Sequence, residues 1–192
     1  MEETENGYCR VKLANGISGF VPEVALRKRL DSDRFLWGKS EERFFVEQGI
    51  PEGWSEEKFR RKVVECAKGY LGCQYRWGGK AAEGIDCSGV VFMVYLMNGV
   101  LIWRDADIRE GYPMKAIWRE GEEMCLVEER AKAGDLLFWR GHVGMYLGDG
   151  RYLHCTGHER VFGCRVNSLR RGDEDFRKDL AEALKVVGSV FS

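Results

Sequence analysis

The stretch Asp86-Cys87-Ser88-Gly89 constrains this chain more than any other. It runs directly into Val90-Val91-Phe92-Met93-Val94-Tyr95-Leu96-Met97 and stops at Asn98-Gly99. Eleven residues closed by a glycine predict a helix, although the β-branched residues also suit a buried strand. Cys87 then stands at a helix N-terminus, where unpaired N–H groups and the positive end of the dipole favour a thiolate. The expected thiol pKa falls from about 8.5 into the range of roughly 3.5–7.5. A thiolate at neutral pH is a nucleophile.

The 192 residues, 44% hydrophobic and 12% aromatic, suffice for one sizeable core and a small appendage. Thirty basic and 31 acidic residues are dispersed along the chain for a net charge of −1, so neither nucleic acid nor a membrane is an expected partner. No apolar stretch is long enough to span a bilayer, and Met1-Glu2-Glu3-Thr4-Glu5 is acidic where an export signal is basic. Seven cysteines at irregular spacings, with no CxxC, argue against a disulfide framework and a zinc ribbon. The expectation is a cytoplasmic protein, or an extracellular one if the start of a longer product is missing. The oligomeric state is left open.

Along the chain, residues 6–30 predict short strands. Tyr8–Leu13 alternates, Asn15-Gly16 is a tight-turn dipeptide, and Ser18-Gly19-Phe20-Val21 leads into Pro22. Such a hairpin cannot bury a core alone and is expected to lean on the larger domain or on a partner chain. Residues 31–54 predict a linker with a short helix at Glu41–Gln48. Ser55 is an expected N-cap for an amphipathic helix carrying Phe59, Val63, Cys66 and Tyr70, ending at Gly72. Cys66 there is expected to be a small buried hydrophobe. Tyr75-Arg76-Trp77-Gly78-Gly79 is a glycine-rich turn, and the stretch from Gly99 to Arg130, with little periodicity, is expected to wall a groove.

Strands follow at Asp135–Trp139, His142–Leu147 and Arg151–Cys155, the last two joined by Gly148-Asp149-Gly150, with another expected at Arg160–Val166. A closing helix is expected from Asp173-Glu174-Asp175 through Phe176, Leu180, Ala183 or Leu184, and Val187. A helix followed by antiparallel strands makes the fold class α+β. A ladder centred on Asp149 sets His154 opposite Gly144, within reach of His142 two positions away. A cysteine nucleophile needs a base, and the base needs an orienting group. Cys87, His142 and His154 can supply all three. His158 is expected in an exposed loop.

These blocks resemble the NlpC family of papain-like bacterial cell-wall peptidases over residues 55–166. The matching residues are Tyr75-Arg76-Trp77-Gly78-Gly79, Asp86-Cys87-Ser88-Gly89, Gly134-Asp135-Leu136-Leu137-Phe138-Trp139, His142-Val143-Gly144-Met145-Tyr146 and His154-Cys155. Trp139 and Cys155 depart from the family's usual Phe and Ala. The resemblance implies a papain-like core over 55–192, after a linker at 31–54; the hairpin within residues 1–30 separately resembles the C-terminal half of a bacterial SH3-like domain, here partial. It implies hydrolysis of the γ-D-glutamyl to diamino-acid bond of peptidoglycan stem peptides, with no cofactor. Cys87 would be the nucleophile, His142 the base and His154 its orienter. Tyr75 would lie over the nucleophile, while Asp86 and Ser88 would bind the free amine of a leading L-alanine. Trp103-Arg104-Asp105-Ala106 also resembles a segment of the murein-recycling branch. The alternatives are a general wall endopeptidase, an amidase or acyltransferase on the same circuit, a non-catalytic wall-binding module, and a metal site formed by Cys87, His142 and His154.

Overall fold

The computed structural model describes residues 2–12, 18–26, 53–158 and 161–191. The chain divides into two compact units, 1–47 and 48–192. In the first, β1 (Glu2–Glu5), β2 (Tyr8–Lys12) and β3 (Ser18–Pro22) form an antiparallel sheet in that order. Asn6 and Gly7, at φ 53° and 77°, join β1 to β2. Two positive φ values give the turn whose twist suits a two-residue hairpin, so this Asn-Gly was a strand signal that the sequence reading passed over. The expected pairing of β2 with β3 is present, with Cys9 opposite Val21 and Arg10 opposite Phe20. The Asn15-Gly16 turn and the helix at 41–48 lie outside the described residues.

The second unit opens with α1 (Glu56–Lys68), capped by Ser55, whose Oγ accepts from the Lys58 N–H at 3.2 Å. Phe59, Val63 and Ala67 are buried, and Cys66 and Tyr70 are half-buried. The helix ends at Lys68, short of the expected Gly72. Pairing across the fold wins there: the Gly72 N–H donates to the Cys164 carbonyl at 3.0 Å, and the Cys164 N–H to the Cys73 carbonyl at 2.8 Å. After the short strands β4 (Lys80–Ala81) and β5 (Gly84–Ile85) comes α2 (Cys87–Met97), as expected. Val90, Val91, Val94 and Tyr95 are all buried, as befits a helix that is apolar almost all round.

Six strands make the main sheet: β6 (Lys115–Arg119), β7 (Leu136–Trp139), β8 (His142–Gly148), β9 (Arg151–His158), β10 (Val161–Ser168) and β11 (Val186–Ser189). Their order is β10-β9-β8-β7-β11-β6, and every pair is antiparallel. Two further helices are short, α3 (Cys125–Arg130) and α4 (Lys178–Glu182). The closing helix is therefore much shorter than expected, and Val187 lies on a strand. Val186-Val187-Gly188-Ser189 is β-branched and small, and a slot between β7 and β6 satisfies its backbone, with Val187 opposite both Leu137 and Trp118. The stretch after Gly99 likewise holds an edge strand and a helix that its weak periodicity concealed. His158 ends β9 and is exposed, so it sits on a strand rather than in a loop.

Both faces of this sheet are covered, which is why β7 is buried at all four positions. Against one face lie α1 and α2, meeting Leu136, Phe138, Val143, Met145, Leu153 and Cys155. Leu137, Trp139, Tyr146, Tyr152 and Val187 face the other way, toward Trp118, Val127 and Leu184. Between β8 and β9 the turn is Asp149-Gly150, at φ 51° and 74°, with Gly148 opposite Arg151. A bulge at Leu147 then restores the register anticipated from sequence, with Tyr146 opposite Tyr152 and Met145 opposite Leu153.

Candidate active site

Asp86 caps α2 through its side chain, which accepts from the Gly89 N–H at 2.5 Å and from the Gly78 N–H at 2.8 Å. One carboxylate thus ties α2 to the Tyr-x-Trp-Gly-Gly loop. The loop is laced to β5 by Arg76 N–H to Ile85 carbonyl and Ile85 N–H to Gln74 carbonyl, each 3.1 Å. A Cβ on Gly89 would strike the Gly79 carbonyl oxygen, which explains the glycine after Ser88.

Arg104 is the residue that sequence reasoning left without a role. It is 5% exposed, and its guanidinium donates to Ser88 Oγ at 2.5 Å, to the Asp86 carboxylate at 3.1 Å and to the Gly79 carbonyl at 3.3 Å. Ser88 in turn donates to Asp86 Oδ1 at 3.3 Å. The two side chains expected to receive a substrate amine are therefore already joined by a buried cation. Trp103-Arg104 was the available signal, and only the fold shows where the guanidinium lands.

Cys87 is buried, and burial pushes its thiol pKa up rather than down. The neighbouring Asp86 carboxylate adds to the rise, while the N–H groups of Val143 and Ser88 at the sulfur oppose it. This corrects the expected thiolate. The helix terminus is already answered by the Asp86 cap, so little of its positive potential is left for the sulfur. The Val143 contact places the sulfur at the first peptide of β8. The β8–β9 ladder ends at Met145 opposite Leu153, and beyond it the Val143 N–H turns to Cys87.

His142 and His154 meet as their strand positions allow, with His142 Nε2 2.7 Å from His154 Nδ1. Gly144 between them admits no side chain without pressing on the Leu153 carbonyl and His154 Cβ, at 3.0 and 3.2 Å. Trp139 stacks at a tilt 5.4 Å from the His142 ring, and Tyr152 lies edge-on 5.2 Å from His154. Burial lowers the pKa of His142 to about 3, helped by its neighbour His154, and that of His154 to about 4. Both rings are neutral at pH 7. Beyond His154, Nε2 lies 3.0 Å from Asn167 Oδ1. Sequence reading ended this strand at Val166 and so missed Asn167.

Tyr75 packs its ring over Gly157, where an added Cβ would come within 2.9 Å of it, and meets Phe162 edge-on. Burial raises its hydroxyl pKa, and so do the nearby Cys87 and Asp86, so it remains an O–H donor. Cys155 points to the helical side of the sheet, where its sulfur donates to the Ile85 carbonyl at 3.2 Å and braces the residue before Asp86. Among the described residues, no group of three or more His, Cys, Asp or Glu side chains is placed to hold a metal ion. No described helix is long and apolar enough to cross a membrane.

Residues 72–172 match the model of the NlpC/P60 family. Dipeptidyl-peptidase 6 of Lysinibacillus sphaericus is 45% identical over 139 residues, covering 72% of this chain and 47% of that protein. Gamma-D-glutamyl-L-lysine dipeptidyl-peptidase of Bacillus subtilis (strain 168) is 36% identical over 119 residues, 57% of this chain and 37% of the relative. The chain thus spans less than half the length of either. In fold it is similar to the crystal structure of an NlpC/P60 family protein from Bacillus cereus ATCC 10987, with a TM-score of 0.53 at 21% identity, over 97% of this chain and 51% of that one. The chain belongs to the NlpC/P60 family.

Proposed function

We propose that the chain is a cysteine peptidase that cleaves the γ-D-glutamyl to diamino-acid bond of peptidoglycan stem peptides. The reading is carried by the Cys87 sulfur lying at the Val143 N–H, one residue from a half-buried histidine whose far nitrogen is held by His154. The names of the relatives supply the substrate class.

Because the thiol is held up and the imidazole held down, the resting pair is neutral. The thiol proton passes to His142 as the sulfur attacks the γ-carbonyl carbon. Tyr75 O–H and the backbone N–H groups at the α2 terminus stand by the developing oxyanion. Collapse breaks the C–N bond, and the departing amine takes the proton from His142. Water, giving a proton to His142, then hydrolyses the thioester and regenerates the thiol.

Whether the substrate needs a free L-alanine amine is a separate matter, and Arg104 bears on it. An ammonium approaching Asp86 meets a carboxylate already paired with a guanidinium. That contact favours a second reading, an endopeptidase indifferent to the N-terminal amine. The test is kcat/KM for L-Ala-γ-D-Glu-diamino acid against its N-acetylated form, with products read by mass spectrometry. Cleavage of the free peptide alone supports a dipeptidyl-peptidase; equal rates support the endopeptidase; no cleavage of either defeats both.

A further inference from the structure

The two histidines do not end the chain of contacts behind Cys87. Asn167 is 4% exposed and lies on β10 opposite Tyr152, one step diagonal from His154. Its Oδ1 faces His154 Nε2 at 3.0 Å, and its Nδ2 donates to the Asp175 carbonyl at 2.8 Å. A carbonyl oxygen can only accept, so the Asp175 contact decides which end of the amide is which. The loop bearing Asp175 is pinned by Arg151 to the Asp175 carboxylate and by Ser168 Oγ to Asp173, each at 2.5 Å.

From that fixed amide the protons follow in one direction. Oδ1 accepts, so His154 carries its proton on Nε2 and leaves Nδ1 bare. A bare Nδ1 accepts, so His142 must donate from Nε2 across the 2.7 Å contact. His142 Nδ1 is then the free lone pair, on the nitrogen nearer its own backbone, beside the peptide whose N–H meets the Cys87 sulfur.

We propose that Asn167 is a positioning residue of this site, its amide selecting the tautomers of His154 and His142 so that His142 presents a bare Nδ1 to Cys87. The inference rests on reading Cys87 and His142 as nucleophile and base. Its tests need no substrate, so an error in the substrate class leaves it standing.

The chain has only three histidines, so long-range 1H–15N spectra of the full 15N-histidine-labelled protein resolve each tautomer. In the wild type, His142 and His154 are each expected to carry the proton on Nε2; a proton on Nδ1 of either overturns the proposal. In Asn167→Leu, which can neither donate nor accept, the His154 signals are expected to become those of mixed tautomers. The rate of Cys87 alkylation by iodoacetamide should fall roughly 10²-fold, the scale of a mispositioned catalytic group. Asn167→Asp keeps an acceptor at nearly the same shape. It should restore the Nε2–H tautomer and bring the alkylation rate to within about tenfold of wild type. A purely structural Asn167 would instead lower the melting temperature while leaving tautomers and alkylation rate alone, and that result overturns the proposal. Should Asn167→Leu fail to fold, the wild-type spectrum and Asn167→Asp decide it.

Discussion

The two halves of the site are built on opposite principles. Around Cys87 the parts are held by a buried charge pair: Asp86 and Arg104 meet at 3.1 Å, and each also secures backbone groups of the glycine-rich loop. Around His142 the parts are neutral and line up as a hydrogen-bond chain through His154 to Asn167. A charge pair clamps Cys87 by position but does not care which way a proton points. A chain of neutral donors and acceptors does care, because each member's proton is set by the next. Substitutions in the charge clamp around Cys87 are thus expected to act mainly on stability, and those in the hydrogen-bond chain behind His142 mainly on rate.

The largest expected effect tests whether the halves act as one unit. Cys87→Ala and His142→Ala should each lower the hydrolysis rate by about 10³-fold or more, and the double variant should lose little beyond either single. Single-turnover measurements that multiply the two losses would separate the halves.

Next comes the charge pair. Arg104→Met leaves Asp86 buried without its cation, at a cost of about 3–5 kcal/mol in urea unfolding. An unchanged unfolding midpoint would remove the clamp from the comparison.

Two glycines sharpen the contrast further. Gly89→Ala sets a methyl against the Gly79 carbonyl, backbone that cannot swing aside, and should destabilise by about 1–3 kcal/mol. Gly144→Ala presses on His154 Cβ at 3.2 Å and the Leu153 carbonyl at 3.0 Å, so its main effect should be a fall in rate of about tenfold as the ring shifts. If Gly144→Ala lost stability and kept full rate, the division between the halves would be wrong.

The smallest effect is the pH dependence of stability. Both histidine pKa values lie below the ordinary 6.5, at about 3 and about 4, because burial disfavours the charged rings. The unfolded chain takes up protons first as pH falls. The contribution is whole above pH 6.5 and drains away as pH falls through about 4 and then 3. Melting temperatures measured from pH 7 to 4 should decline less steeply in His154→Gln than in the wild type.

What the sequence determined by itself lies close together along the chain. The α2 helix follows from the apolar run Val90–Met97 between a capping Asp and Asn98-Gly99, and α1 from Ser55 and its apolar spacing. His142 and His154 could be paired in advance because a short turn leaves one register that buries the alternate face, and the Leu147 bulge absorbed the single-residue offset. What only the tertiary structure decided comes from distant segments or from competing energies. Arg104 reaches Ser88 across 16 residues, and Asn167 reaches His154 across a strand pair. An Asn directly after Val166 reads as a strand's end, since asparagine is depleted in strands. Val187 became strand because an open slot between β7 and β6 outweighed the helical spacing around it. The protonation state of Cys87 was beyond local pattern for the same reason. A helix N-terminus lowers a thiol pKa by a local field, whereas burial raises it through everything packed around the sulfur, and that packing exists only once the sheet has closed on the helix.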